Sequence, residues 1–220
     1  MARPLQPLFV SLPFRHERKT PSFLNPEDKY PESLVRYFLQ QYTKKGDNVL
    51  DPFMGTGTTA FVCEDMGRIP FGVEHDQQRY EWTAGQLTHW ENMRWGDAGK
   101  ISSYRFPKMD FCITSPPYMP CHHRWNPLYG GDPAHAGYES YLRRMGKIFK
   151  DISGLMKKGA PVLVQLDNLQ HGKVYTPLVR DISLTLEKNL KLEAEIIVPW
   201  KNPKPDYRHT HCLLFRNIGK

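Results

Sequence analysis

NVLDPFMGTGTTAFVCEDMG, residues 48–67, begins as a short apolar run, breaks at Pro52, passes glycines at 55 and 57, and resumes as a helical pattern. A strand that turns on glycines into a helix is the opening unit of an α/β sheet. Without side chains at the turn a ligand can lie against the backbone, and the helix N-terminus that follows favours negative charge. The turn is not a Walker-type phosphate cradle, because no Lys follows the glycines. Ala60 stands where a dinucleotide fingerprint places its third glycine. Asp51, at the strand end, repels a pyrophosphate but accepts from a cationic or hydroxylic ligand. A nucleoside without a phosphate suits this turn best.

Working outward, the chain alternates helical and strand patterns. PESLVRYFLQQYTKK (31–45) reads as an amphipathic helix ending at Gly46. After the opening unit come IPFGVEH (69–75, strand), DQQRYEWTAGQLTHW (76–90, helix) and ENMRWGD (91–97, strand). Then follow MDFCITS (109–115, strand), YESYLRRMGKIFKDISGLMKK (138–158, helix closed by Gly159), APVLVQLD (160–167, strand) and TPLVRDISLTLEKN (176–189, helix). LEAEIIVPW (192–200) and THCLLFRN (210–217) are two strands with no helical pattern between them, so they pair antiparallel. The expected architecture is α/β, a doubly wound, mostly parallel seven-stranded sheet with a C-terminal antiparallel pair. Residues 1–30 form an arm, and 31–220 one domain with a cofactor half (31–100) and a catalytic half (101–220). Ligands are expected at the carboxyl ends of the strands. There Glu74, ending the second strand, has the spacing of an acidic residue that accepts from ribose hydroxyls, or else it caps the next helix. Asp97, ending the third, can accept from an adenine amino group.

The fourth strand runs into CITSPPYMPCHH (112–123). Pro116 and Pro117 fix φ and remove two backbone donors, so their carbonyls stay available as acceptors, and Tyr118 adds a flat ring. Such a turn holds a planar ligand bearing an amino group, such as a nucleobase, or simply ends a strand against a core tyrosine. The loop that follows, Met119–Gly137, has the least regular pattern in the chain, and long structureless loops in compact domains are usually functional or disordered. His122, His123, Arg124 and Trp125 are candidates to grip a polynucleotide strand, or else decorate a solvated loop.

A net charge of +7, with aromatics set among basic residues in HHRWNPLY (122–129) and PWKNPKPDYRH (199–209), suits an anionic polymer. Arg15, Arg18 and Lys19 add charge in the arm. No apolar run is long enough to cross a bilayer, and the proline-broken opening lacks a signal-peptide core, so the expectation is a soluble, cytoplasmic protein with no membrane partner. Four scattered cysteines, Cys63, Cys112, Cys121 and Cys212, give neither a disulfide framework nor a zinc ribbon. Cys121, His122 and His123 are neighbours, but no second cluster has ligand spacing, so no metal is expected.

DPFMGTGTT, then GVEHD, then TSPPY together closely resemble the S-adenosylmethionine-dependent amino-methyltransferases, which methylate cytosine N4 or adenine N6 in nucleic acids. The likeness spans about residues 25–215. The resemblance implies S-adenosylmethionine as the cofactor and a class I, Rossmann-like fold. It implies that Asp51, Phe53, Gly55 and Gly57, with Thr58 and Thr59 beside them, hold the methionine part, that Glu74 and Asp97 complete the cofactor site, and that NPEDKYPESL (25–34) helps close it. It further implies that Ser115, Pro116, Pro117 and Tyr118 do the chemistry, and the SPPY wording points to cytosine N4. The cofactor half precedes the catalytic half, opposite to many enzymes with this DPF-glycine wording, and no long target-recognition segment is visible. The expected partner is therefore nucleic acid, with structured RNA, ribosomal RNA included, favoured over duplex DNA. The alternatives are a DNA methylase of a restriction-modification system and a nucleic-acid-binding protein that has lost catalysis. Oligomeric state is not legible.

Overall fold

The computed structural model describes residues 8–18, 21–23, 29–205 and 207–219. Seven strands form one sheet: β1 (Asn48–Asp51), β2 (Ile69–Glu74), β3 (Met93–Trp95), β4 (Phe111–Thr114), β5 (Pro161–Leu166), β8 (Lys191–Lys204) and β9 (Tyr207–Arg216). Their order is β3-β2-β1-β4-β5-β9-β8. The first five are parallel, and β9 runs antiparallel to both β5 and β8. The sheet is thus the expected mixed α/β sheet of seven strands. Its helices are α1 (Glu32–Tyr42), α2 (Thr58–Asp65), α3 (Gln77–Ala84), α4 (Tyr138–Leu155) and α5 (Leu178–Leu186).

Strand side chains alternate between two apolar layers, as the period of two requires. Val49, Phe111, Ile113 and Leu163 enter the layer shared with α1 and α2, where Leu34, Phe38 and Val62 are fully buried. Leu50, Cys112, Val162 and Val164 enter the opposite layer, against Tyr141, Ile148, Phe149 and Ile182 of α4 and α5. Both faces are therefore covered, which explains why the central strands read as unbroken apolar runs. The exposed side of β8 is capped too: Phe9 and Leu12 bridge Ile197 and Trp200, so the N-terminal segment pairs along what would otherwise be an open edge.

Several helices are shorter than their patterns. α1 stops at Tyr42, and α3 stops at Ala84 before Gly85, whose poor helix propensity lets the chain leave as turns up to a 3₁₀ turn at Trp90–Asn92. The third strand is only Met93–Trp95. Residues 169–175, which carry no periodic pattern, and Thr176, expected to open the next helix, form a hairpin, β6 (Leu169–His171) with β7 (Val174–Thr176), turning at Gly172 with φ +57°. The Met119–Gly137 loop is also more ordered than its composition suggests. It contains 3₁₀ turns at Pro127–Tyr129 and Pro133–His135, capped by Asn126 and Asp132 side chains, and Asn126 is fully buried.

The arm packs down as well. Glu32, 1% exposed, accepts from the backbone N–H groups of Glu17 and Arg18 and lies 3.5 Å from His16. Burial works against its charge, but those bonds, His16 and Lys29 hold its pKa down at about 2. Arg18 is committed to Asp65 at 2.8 Å and lies over the Phe61 ring, so its guanidinium is already paired. Arg15 is exposed, while Lys19 lies outside the described residues.

Candidate active site

β1 and β4 are neighbours at the centre of the sheet, one leading through α2 toward β2 and the other through α4 toward β5. Ligands of open α/β sheets bind at such a switch point. Asp51 ends β1, and Thr114 and Ser115 close β4 beside it. The two motifs, more than fifty residues apart in sequence, meet because their strands pair directly, Leu50 opposite Cys112.

Asp51 is 2% exposed and its oxygens are fully engaged. Oδ1 accepts from Phe53 N (3.1 Å) and Thr114 Oγ1 (2.7 Å); Oδ2 accepts from Thr59 Oγ1 (2.7 Å) and Tyr30 OH (3.1 Å). Burial pushes its pKa up, and those four donors oppose the rise. Asp51 thus fixes the shape of the turn, and Thr59 supports it from within the protein. Tyr30, also bonded to Thr59, is the described part of the 25–34 segment that reaches the site; residues 25–28 lie outside the described residues.

Gly55 and Gly57 take φ values of +56° and +76°. A Cβ on Gly57 would stand 2.4 Å from Thr83 Cγ2, so this glycine is needed to seat α2 against α3. A Cβ on Gly55 would meet nothing within 4 Å, because Gly55 faces an open cleft. Phe53, Met54, Thr56 and Thr58 line that cleft together with Lys29, Tyr30, Arg79 and Ser115. Glu74 is 7% exposed at the end of β2. Its Oε2 accepts from Gly55 N at 2.7 Å and its Oε1 from Asp76 N at 2.8 Å, while Asp76 itself caps α3. Glu74 therefore steadies both the glycine turn and the start of the next helix.

Asp97 is engaged within the protein. Its Oδ1 accepts from Gly99 N (2.7 Å) and its Oδ2 from Arg144 of α4 (2.5 Å). Arg144 also lies over the Tyr129 ring, which stacks on His135 at 4.0 Å. A Cβ on Gly99 would strike the guanidinium at 2.0 Å, so that glycine makes room for the arrangement. Asp97 is thereby the anchor that ties the 119–137 loop to the cofactor end of the sheet. Next to it is a cavity of about 280 Å³ bordered by Tyr129, His135, Arg143, Arg144 and Lys147.

On the catalytic side, Pro116 is buried, while Ser115, Pro117 and Tyr118 are half-buried. Tyr141 OH donates to the Pro117 carbonyl at 3.1 Å, and among the described residues no donor reaches the Pro116 carbonyl. Burial raises the Tyr118 hydroxyl pKa well above its usual value, with Asp167 and Tyr207 adding to the rise and Ser115 and Gln165 opposing it, so it stays a neutral phenol. Gln165 Nε2 donates to Thr210 Oγ1 (2.6 Å), Tyr207 OH (3.3 Å) and Asp167 (3.4 Å). Asp167, just past β5, is raised in pKa by burial against the opposing bonds of Thr210, Tyr207 and His211. Asp167, Gln165 and Tyr207 form a polar wall that reading the sequence missed. The signal was there for one of them, since Asp167 ends its strand as Asp51 and Glu74 end theirs.

Arg124 and Trp125 are exposed, Trp125 at 60%, and its indole lies on Gly131, where a Cβ would come within 2.1 Å of Nε1. Trp200, expected in a strand-gripping segment, is instead 4% exposed and packs on Phe14 and Tyr207; the exposed groups there include Lys201, Asn202, Arg208 and His209. His122 and His123 are exposed and meet His171 of β6, the donor atoms of all three lying within 4.8 Å of one another. The hairpin thus brings a third imidazole beside the CHH sequence, from 48 residues downstream of His123. All four cysteines are free thiols, three of them buried. No helix among the described residues is long and apolar enough to cross a membrane.

The sheet and the cleft at its switch point define a class I methyltransferase fold, and solved structures agree. TrmN from Thermus thermophilus superposes with a TM-score of 0.61 at 17% identity, covering 84% of this chain and 48% of that one. Residues 12–85 match the N6_N4_Mtase family model, DNA methylase. The type II methyltransferase M.MjaII of Methanocaldococcus jannaschii is 44% identical over 46 residues, which is 21% of this chain and 9% of the relative. M.HinfI of Haemophilus influenzae is 46% identical over 48 residues, 22% and 13% of the two chains. The matches support the adenine N6/cytosine N4 methyltransferase family named by the motifs, and with it S-adenosylmethionine as the cofactor. The aligned segments span less than a fifth of either relative's length. The residues present fit that cofactor: a glycine facing open space, an acidic strand end at Glu74, and a cleft lined by Lys29, Arg79 and Ser115.

Proposed function

We infer that the chain transfers a methyl group from S-adenosylmethionine to the N4 amine of cytosine in nucleic acid. The observation that carries this reading is one cleft whose lining includes both the DPF-glycine turn and Ser115. In such a cleft Gly55 allows close approach of the cofactor and Glu74 receives ribose hydroxyls, with Lys29 and Arg79 among the lining residues. The cofactor supplies a methyl group on a cationic sulfur. The chain's own task is the amine, a poor nucleophile because its lone pair is delocalised into the ring. Ser115 Oγ and the Pro116 carbonyl accept its protons and favour a pyramidal nitrogen aimed at the methyl, while Tyr118 stacks on the base. Asp167 offers an acceptor for the proton that the methylated amine must lose. No covalent enzyme intermediate is required, and Cys121 is not needed as a nucleophile.

A paired base cannot enter, so the target is unpaired or flipped out. We favour structured RNA as the polymer. The described residues that could contact a substrate include the 119–137 loop, the β6–β7 hairpin, the β8–β9 tip and the arm at Arg15. RNA loops present bases already unstacked, which spares the cost of flipping one out of a duplex. The basic cavity at Arg143, Arg144 and Lys147 suits flanking phosphates. The second reading, duplex DNA, is supported by the family description and the type II relatives, all matched over short segments.

The deciding experiment incubates the protein with labelled S-adenosylmethionine and, separately, unmodified ribosomal RNA, ribosomal subunits and genomic DNA, followed by nucleoside mass spectrometry. The expected product is N4-methylcytidine in RNA. A dominant N6-methyladenine product defeats the choice of base, and site-specific labelling of duplex DNA alone defeats the choice of polymer.

A further inference from the structure

Directly after the SPPY turn, the chain presents two adjacent histidines to a third that belongs to a separate hairpin. The ring centroids of His122 and His123 are 4.5 Å apart, those of His122 and His171 5.2 Å, and those of His123 and His171 5.7 Å. Each ring offers one nitrogen, and the three nitrogens lie within 4.8 Å of one another. Backbone tethers set up this meeting: Cys121 N donates to Thr176 Oγ1 at 2.9 Å, and Cys121 Sγ approaches the Tyr175 carbonyl at 3.8 Å, locking the loop beside β7. The hairpin pairs His171 directly with Val174, so its position is fixed by the β6–β7 ladder.

We propose that His122, His123 and His171 bind one divalent transition-metal ion, and that the bound ion fastens the 119–137 loop to the β6–β7 hairpin. Three imidazoles suit Zn²⁺ and its first-row neighbours and do not suit Mg²⁺ or Ca²⁺, which take oxygen ligands. A tetrahedral ion with bonds of about 2.0–2.1 Å to nitrogen brings its ligands to about 3.4 Å from one another. All three side chains are exposed, so rotation toward that spacing meets no packed neighbour in the core. Three protein ligands leave a fourth position for water or for an anionic oxygen. The ion would add two positive charges beside the turn that we assign to base binding. The site itself stands whether or not the chain is a methyltransferase.

The full-length chain, stripped with a chelator, is titrated with Zn²⁺ by calorimetry and with Co²⁺ by visible absorption. The expected result is one ion per chain with a dissociation constant in the micromolar range or tighter, a Co²⁺ spectrum of tetrahedral type, and no response to Mg²⁺. His171→Ala and His122→Ala should each weaken Zn²⁺ binding at least tenfold with an unchanged circular dichroism spectrum. His209→Ala, which alters the separate pair His209 and His211, should leave binding intact. Zn²⁺ should slow tryptic cleavage at Arg124 in the wild type and not in His171→Ala. Binding that is unaffected by His171→Ala, or lost in His209→Ala, overturns the site. Equal protection of Arg124 in the wild type and in His171→Ala overturns the fastening role.

Discussion

The two sides of the cleft are built on opposite principles. On the cofactor side, nearly every polar atom is already bonded within the protein: Asp51 by four donors, Glu74 by two backbone N–H groups, and Gly57 wedged where no side chain fits. In the loop that follows Ser115, Trp125, Arg124 and the two histidines stand in solvent with His171, and order comes from caps and tethers of the loop, such as Asn126, Arg144 and the Cys121–Thr176 bond. On the function proposed above, one cofactor needs one rigid mould, whereas a polymer must be admitted and released. The rigid side is therefore fixed by buried hydrogen bonds and the open side by a few anchors.

The largest expected effect falls where the two sides meet. Ser115→Ala should lower the single-turnover rate of methyl transfer by about 10²–10³-fold, the scale of losing one group that stabilises the transition state. Cofactor affinity by calorimetry should stay within about threefold. If affinity fell instead and the rate held, Ser115 would belong to the cofactor side.

The next effect tests how firmly the rigid side is tied to the arm. Glu32 has a folded pKa of about 2 against an ordinary value of 4.5, so its charge stabilises the fold above pH 4.5, and that contribution disappears as pH falls from 4.5 to 2. The difference corresponds to about 3 kcal/mol. Glu32→Gln should lower the melting temperature at pH 7 and flatten the acid limb of the stability profile below pH 4.5. A variant with the wild-type acid limb would show that the arm is held by its apolar contacts alone.

Glu74→Ala should then weaken S-adenosylmethionine binding by about 10–100-fold, or about 1.4–2.7 kcal/mol, since a buried hydrogen-bonding carboxylate is lost. The rate at saturating cofactor should change little. A fall in rate alone would place Glu74 with the chemistry. The smallest effect should come from the open side: Trp125→Ala should weaken binding of a single-stranded oligonucleotide by about fivefold to tenfold, the low end for losing one stacked base. Cofactor affinity should be unchanged. No change in oligonucleotide binding would leave Trp125 as a lid over Gly131.

The alternating patterns, the glycine turn and the SPPY turn made the sheet, its antiparallel end and the pairing of two motifs legible, because period, turn chemistry and strand ends are local properties of the chain. Asp51 and Glu74 were legible as residues at strand ends, while their bonding to the chain itself was not, since Thr114, Tyr30 and Gly55 N come from other elements. Helix ends were read too long at Gly46 and Trp90, where pattern continued after hydrogen bonding had stopped.

The sequence by itself determined the fold class and the type of chemistry offered at the two turns, because apolar periodicity and Gly and Pro backbone preferences act within a few residues. Only the tertiary structure decided which side chains share a space. Arg144 reaches Asp97 across 47 positions, Trp200 turns inward under Phe14, Asp167 and Tyr207 close behind Tyr118, and His171 joins His122 and His123. Each of these depends on strand order and on a hairpin's placement, and sheet packing, a long-range property, sets both.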